Sequence, residues 1–234
     1  MLAKINAFFS EYYDIKNKPI ISGYEIFFRQ YGDLTTNNLN KIEHLFSEFA
    51  PMAQRIQAER LRMAPRFNVF TALQIHEDEV LTSRFLAYLL DPRKHHDQDA
   101  SFLISFIKFT LNEDKSYNIA KRARVTPERW VGTFGRLDIA IEFPDGQIVA
   151  IENKINHEER TNQICDYQTW LSLQRAAAHA VIYLTLDGRQ SETAALHGIR
   201  VITLSYTRLA EWLSSVPVPD RLAVVIRQFC DNFI

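Results

Sequence analysis

The stretch Arg136-Leu-Asp-Ile-Ala-Ile-Glu-Phe-Pro-Asp-Gly-Gln-Ile-Val-Ala-Ile-Glu-Asn-Lys-Ile155 decides the fold. Apolar residues alternate with polar ones over 135–143 and again over 147–155, which predicts two strands. Pro144-Asp-Gly146 between them predicts a tight hairpin turn. Three ionisable residues interrupt the apolar pattern: Asp138 on the first strand, Glu152 and Lys154 on the second. Strand side chains alternate faces, so Glu152 and Lys154 point one way and Ile151, Asn153 and Ile155 the other. Asp138, Ala140 and Glu142 share a face of the partner strand. The hairpin brings Asp138 beside Glu152 on condition that the register allows it.

Two neighbouring carboxylates repel, and one of them would be held protonated. A hard divalent cation such as Mg²⁺ relieves the conflict with oxygen ligands and keeps several waters. An amine beside it can orient a water or stabilise charge developing on a phosphate. A surface ion pair on an edge strand is the plainer explanation of the same residues. Glu-x-Lys is common by chance, and the chain contains a second copy, Glu113-Asp-Lys115, in a polar loop. The copy at 152–154 differs in its apolar flanks, where unpaired charge is costly.

Outward from the hairpin, the 119–126 stretch reads as a third strand, and 179–185 and 200–204 as two more. Helical spacing marks 76–90, 99–112, 160–176, 206–215 and 219–233. Strand, strand, strand, helix, strand, strand predicts an α/β core with a mixed sheet. Upstream, 2–16 and 39–63 also have helical spacing, separated by a polar loop at 32–38, with Pro51 expected to kink or break the second helix. Residues 1–66 are therefore expected to be a helical N-terminal extension, a lid or an interaction module, and 67–234 the α/β core.

At 234 residues the chain is long enough to bury a core without staples. A net charge of −1 gives no global signature for nucleic acid, so a polyanion would need a local basic face. Lys115, Lys121, Arg122, Arg124, Arg129 and Arg136 offer such a stretch. Cys165 and Cys230 are too few for a disulfide framework and read as reduced thiols of a cytoplasmic protein. No run approaches the ~20 apolar residues of a bilayer span, and the N-terminus is a poor signal peptide.

Four segments in order resemble the PD-(D/E)XK nuclease superfamily, restriction-endonuclease-like phosphodiesterases, and within it an uncharacterised bacterial group associated with phage defence. They are Glu79-Val-Leu-Thr-Ser-Arg-Phe-Leu-Ala-Tyr-Leu-Leu-Asp-Pro92, Gly135-Arg-Leu-Asp-Ile139, Ile151-Glu-Asn-Lys-Ile155 and Gln163-Ile-Cys-Asp-Tyr167. The resemblance implies a restriction-endonuclease-like fold. It also implies a Mg²⁺- or Mn²⁺-dependent endonuclease acting on nucleic acid, DNA before RNA. It implies Glu79, Asp138 and Glu152 as metal ligands, Lys154 as the catalytic lysine, and Gln163 and Tyr167 as substrate contacts on one helix face. His96 is expected at the rim as a further substrate contact, with Arg136 facing phosphate.

Related sequences often carry a histidine where this chain has Thr82. Glu77 and Asp78 compete with Glu79 for its role, since any of the three suits the positive end of a helix. Trp130, Trp170 and Trp212 are expected as core or helix-packing residues rather than stacking platforms. Homodimerisation and a protein partner for 1–66 are open expectations. The competing reading is a relative that binds nucleic acid or a partner but has lost turnover; the intact acid and base positions speak against it.

Overall fold

A computed structural model of the chain describes residues 36–64, 66–174 and 179–234. The chain separates into two units, Met1–Arg66 and Phe67–Ile234. The helix expected at 2–16 and the loop up to residue 35 lie outside the described residues. In the first unit, α1 (Thr36–Met63) runs without a break through Pro51. The proline removes one backbone donor, and the helix continues on both sides of it.

The second unit carries α2 (Val69–Ala72), α3 (Glu79–Leu90), α4 (Ser101–Leu111), α5 (Tyr117–Ala120), β1 (Arg124–Trp130), β2 (Arg136–Glu142) and β3 (Ile148–Lys154). It continues with α6 (Gln163–Ser172), β4 (Ala180–Thr185), α7 (Glu192–Leu196), β5 (Ile202–Ser205), α8 (Tyr206–Ser215) and α9 (Asp220–Cys230). The strands form one five-stranded sheet in the order β1-β2-β3-β4-β5. β1, β2 and β3 pair antiparallel, while β3–β4 and β4–β5 are parallel. This is the mixed sheet with flanking helices of a restriction-endonuclease-like α/β fold.

The first strand was expected at 119–126. It begins at Arg124 instead, after the short α5 and a turn. Pro127 lies inside it, a position tolerated because β1 is an edge strand. The β2–β3 turn closes as the sequence predicts: Phe143 N–H donates to Gln147 O at 2.9 Å, and Gly146 takes φ +90, a conformation side chains disfavour.

β3 is buried at every residue because both faces of the sheet are covered. On one face Ile139, Ile141, Val149, Ile151, Ile182 and Leu184 pack in a core with side chains of α2, α3, α4, α8 and α9. On the other, Ala140, Ala150, Val181 and Tyr183 pack against Ile164, Tyr167 and Leu171 of α6 and Ala194 of α7. Leu137 joins this second core rather than that of Ile139, so strict alternation fails just before Asp138. Across the ladder, Pro127 pairs with Ile139 and Arg129 with Leu137, and Glu128 between them has φ +51. The left-handed residue and the broken alternation lie at the same rung.

Candidate active site

The β2–β3 register sets Ile139 opposite Ile151. One rung further, Asp138 faces Glu152 at the open end of the hairpin, where the strands part. The chain spends the freed backbone donor there: Asn153 N–H donates to Asp138 Oδ2 at 2.8 Å.

Glu152 is 1% exposed. Its Oε1 accepts from Lys154 Nζ at 2.7 Å and from the side-chain amide of Gln163. Its Oε2 is buried with no partner. Burial first, and the charge of Asp138 second, push this carboxyl up to about 8, against the pull of Lys154. Burial also raises Asp138, opposed by the Asn153 N–H and Lys154. Burial would lower Lys154, but the Glu152 carboxylate, as charge and hydrogen-bond partner, together with Asp138 and Glu79 holds the amine above its ordinary value. The short Lys154–Glu152 contact favours an ionised carboxylate while the raised value favours a protonated one. Burial dominates in the absence of another cation.

Three acids lie near the start of α3, and the fold separates their roles. Asp78 is the N-cap, its Oδ1 accepting from Val80 N–H and Leu81 N–H at 2.8 and 2.9 Å. Glu77 is exposed beside His76. Glu79 points to the end of β3, where Oε1 accepts from the backbone N–H groups of Ile155, Asn156 and His157 at 2.8, 3.1 and 3.1 Å. Its Oε2 lies 3.8 Å from Lys154 Nζ and 3.2 Å from His157 Nδ1. Burial would raise Glu79, but the Ile155 N–H, the Lys154 ammonium and the neighbouring N–H groups together hold it below the usual range.

Asn153 fixes this geometry from the other face of β3. Its Nδ2 donates to Glu79 O, Thr82 Oγ1 and Ser83 Oγ at 3.1, 3.0 and 3.0 Å, and its Oδ1 accepts from Tyr206 O–H at 2.9 Å. Thr82 passes the network on, donating to Asp78 O at 2.8 Å. One buried amide thus docks the first turn of α3 on β3. The sequence signal was available: a polar residue between Ile151 and Ile155, on the side opposite the charges.

Gln163 and Tyr167 share a face of α6, as their spacing predicts. They are buried and engaged with protein groups. Gln163 Nε2 donates to Glu152 and to Tyr167 O–H, and Tyr167 O–H donates to Arg136 O at 2.7 Å. They hold Glu152 in place.

The structure does not bring His96 to this cluster. Its ring is buried between Tyr88 and Phe102, with Nε2 donating to Asp91 O at 3.0 Å and Nδ1 accepting from Gln98 N–H at 3.1 Å. Both nitrogens are used by the loop. Arg136 is half exposed and paired with Glu128 at 2.8 Å. Of the other expected rim cations, Lys115 pairs with Asp145, Lys121 with Asp99 and Arg129 with Glu142.

The family model of the PD-(D/E)XK nuclease superfamily matches residues 67–230. The chain belongs to the PD-(D/E)XK nuclease superfamily. No curated protein and no solved structure matched it. Membership implies nuclease-type phosphodiesterase activity at the level of the superfamily, whose members typically use divalent metals. The acids of this PD-(D/E)XK core meet that requirement in part. Among the described residues, no three His, Cys, Asp or Glu side chains gather closely enough to hold a metal alone. Yet Lys154 is the one ammonium against the Glu79 and Glu152 carboxyls, with Asp138 nearby, and Glu152 Oε2 is an acceptor without a donor. A divalent cation retaining waters needs only one or two carboxylates. The Asp138–Glu152 pair fits it.

No helix among the described residues is long and apolar enough to cross a membrane.

Proposed function

We propose that the protein is a Mg²⁺- or Mn²⁺-dependent endonuclease that hydrolyses phosphodiester bonds of nucleic acid, DNA in the first instance. The observation that carries this reading is the unpartnered, buried Glu152 Oε2 beside Asp138, with the Lys154 ammonium held against the same carboxylate. Asp138 and Glu152 would hold the cation, with Glu79 contributing through Oε2, because its Oε1 is committed to the backbone after β3. When bound, such a cation supplies Lewis-acid polarisation of the phosphate and a more acidic water.

The chain's own groups do the rest. Lys154 stays charged and donates to the attacking water or to the oxygen on which charge develops. Gln163 and Tyr167 fix Glu152, and Asn153 fixes the α3 start that carries Glu79. The sheltered setting of Glu152 strengthens each electrostatic contact relative to water.

The test is a cleavage assay on covalently closed plasmid, linear duplex and single-stranded DNA with Mg²⁺ or Mn²⁺. Nicking or linearisation of the closed circle by the wild type, lost in Lys154→Ala, is the expected result. Identical behaviour of the two proteins overturns the proposal in favour of a nuclease-fold protein that binds without turnover.

A further inference from the structure

Trp130 is 69% exposed, although it was expected as a core or helix-packing residue. Trp212, by contrast, is buried and donates from Nε1 to Ser105 Oγ at 2.9 Å. Trp130 ends β1, and its register partner is Arg136, two residues before Asp138. That separation is roughly 7 Å of extended chain. A single exposed apolar side chain is ordinary by itself, so its neighbours decide what it means.

Two arginines flank the same end of the ladder. Glu128 Oε1 accepts from Arg136 Nη1 at 2.8 Å, and its Oε2 accepts from both Nε and Nη2 of Arg84 on α3. The arginine side chains remain 50% and 55% exposed. One carboxylate between two guanidinium groups leaves a net positive charge and fixes the position of both. Glu128 holds this place with φ +51, an uncommon conformation for a side chain of its kind. Such backbone strain persists where surrounding structure imposes it and points to a function.

β1 is an edge strand, so a strand from another protein molecule is the competing occupant. The edge is poorly made for that. Pro127 has no N–H to give, and left-handed Glu128 interrupts the run of parallel donors and acceptors. Indole and guanidinium groups together suit a nucleotide instead. In a duplex the base faces are covered by their neighbours, whereas an unpaired base can stack on an aromatic ring while its phosphate meets arginine.

We infer that Trp130, with Arg136 and Arg84 positioned by Glu128, forms a subsite for an unpaired nucleotide next to the scissile phosphate, so that the substrate presents a single-stranded or locally unpaired stretch at the site. This rests on the nuclease reading and deepens it.

The test measures binding without hydrolysis. The full chain in EDTA is titrated with a fluorescent single-stranded oligodeoxythymidine and with a blunt duplex of equal length. Trp130→Ala is expected to weaken single-strand binding by about fivefold to a hundredfold, the range of base–aromatic stacking. Trp130→Phe should recover most of the loss, with duplex binding changed less than twofold. Because the side chain is largely exposed, both variants should melt with the wild type.

Three results overturn the subsite: unchanged single-strand binding in Trp130→Ala, an equal loss for duplex, or no single-strand binding by the wild type. A fourth is a change of oligomeric state in Trp130→Ala by light scattering, which would assign the ring to a protein contact. Since these readouts need no turnover, loss of the subsite and loss of the nuclease reading are distinguished by the Lys154→Ala assay.

Discussion

The two Glu-x-Lys triplets of this chain have the same spacing and opposite fates. Glu113-Asp-Lys115 lies by the turn end of the β2–β3 hairpin, and Glu152-Asn-Lys154 at its open end. At the turn end each charge has its own partner. Lys115 pairs with Asp145 at 2.8 Å, Asp114 with Lys108 at 3.0 Å, and Glu113 accepts from Gln147 Nε2 at 3.0 Å. Lys115 holds Asp145 below the usual carboxylate range, as a satisfied ion pair should. At the open end one ammonium serves Glu152 and Glu79 with Asp138 nearby, burial pushes Glu152 upward, and an oxygen is left without a donor. A charge pattern becomes chemistry when the fold concentrates like charges where water cannot screen them. The same letters, each given its own partner, simply neutralise one another.

Exchanging the two lysines for alanine should separate the ends most sharply. Lys154→Ala is expected to lower metal-dependent cleavage at least about a hundredfold, the scale of losing a positioned charge at the reacting phosphate. Lys115→Ala should stay within twofold in the same assay. Comparable losses in both would erase the distinction.

Asn153→Ala tests the scaffold behind the charged face. It strips the donors from Glu79 O, Thr82 and Ser83 and removes the Asn153 acceptor of the buried Tyr206 hydroxyl. A loss of about 2–3 kcal/mol in urea unfolding is expected. A loss under about 0.5 kcal/mol would mean that α3 does not depend on this amide.

A pH series on metal-free protein sharpens the contrast further. Glu152 has a folded value of about 8 against 4.5 unfolded, so the folded state binds more protons between them. Stability should therefore fall as pH rises through that window. Glu152→Gln should flatten the slope, and added Mg²⁺ should restore stability at the alkaline end. Thermal melts from pH 5 to 8.5 measure this, and a wild-type curve parallel to that of Glu152→Gln would refute the conflict of charges. Asp145, lowered by its partner, contributes the opposite sign at acid pH only.

The smallest effect belongs to Lys115→Ala on stability. Its ion pair with a partly exposed Asp145 should be worth about 1 kcal/mol or less by denaturant unfolding.

Much of this was legible in the chain. The hairpin, its turn, the order of strands and helices, and the hairpin's own charges follow from period-two and helical spacing, because local backbone geometry writes those periods directly; Glu79 was expected on resemblance. β1 was placed too early because Pro127 argues against a strand unless the strand is at an edge, and edges exist only in the assembled sheet. Trp130 was expected as a core or helix-packing residue, and its position at the end of an edge strand cannot be read from neighbours in sequence. His96 was expected near the site on resemblance; its ring instead closes the loop after α3.

The sequence by itself determined the alternation that builds β2 and β3, the turn between them, and the presence of charges too costly to bury unpaired. Only the tertiary structure decided which acid caps α3 and which reaches β3, since Asp78 and Glu79 are indistinguishable until a helix axis exists. It alone decided that Glu152 Oε2 stays without a donor while Asn153, its neighbour, uses both ends of its amide. The physical reason is that periodicity is a property of consecutive residues. Desolvation and hydrogen-bond satisfaction depend on groups that folding brings from more than seventy residues away.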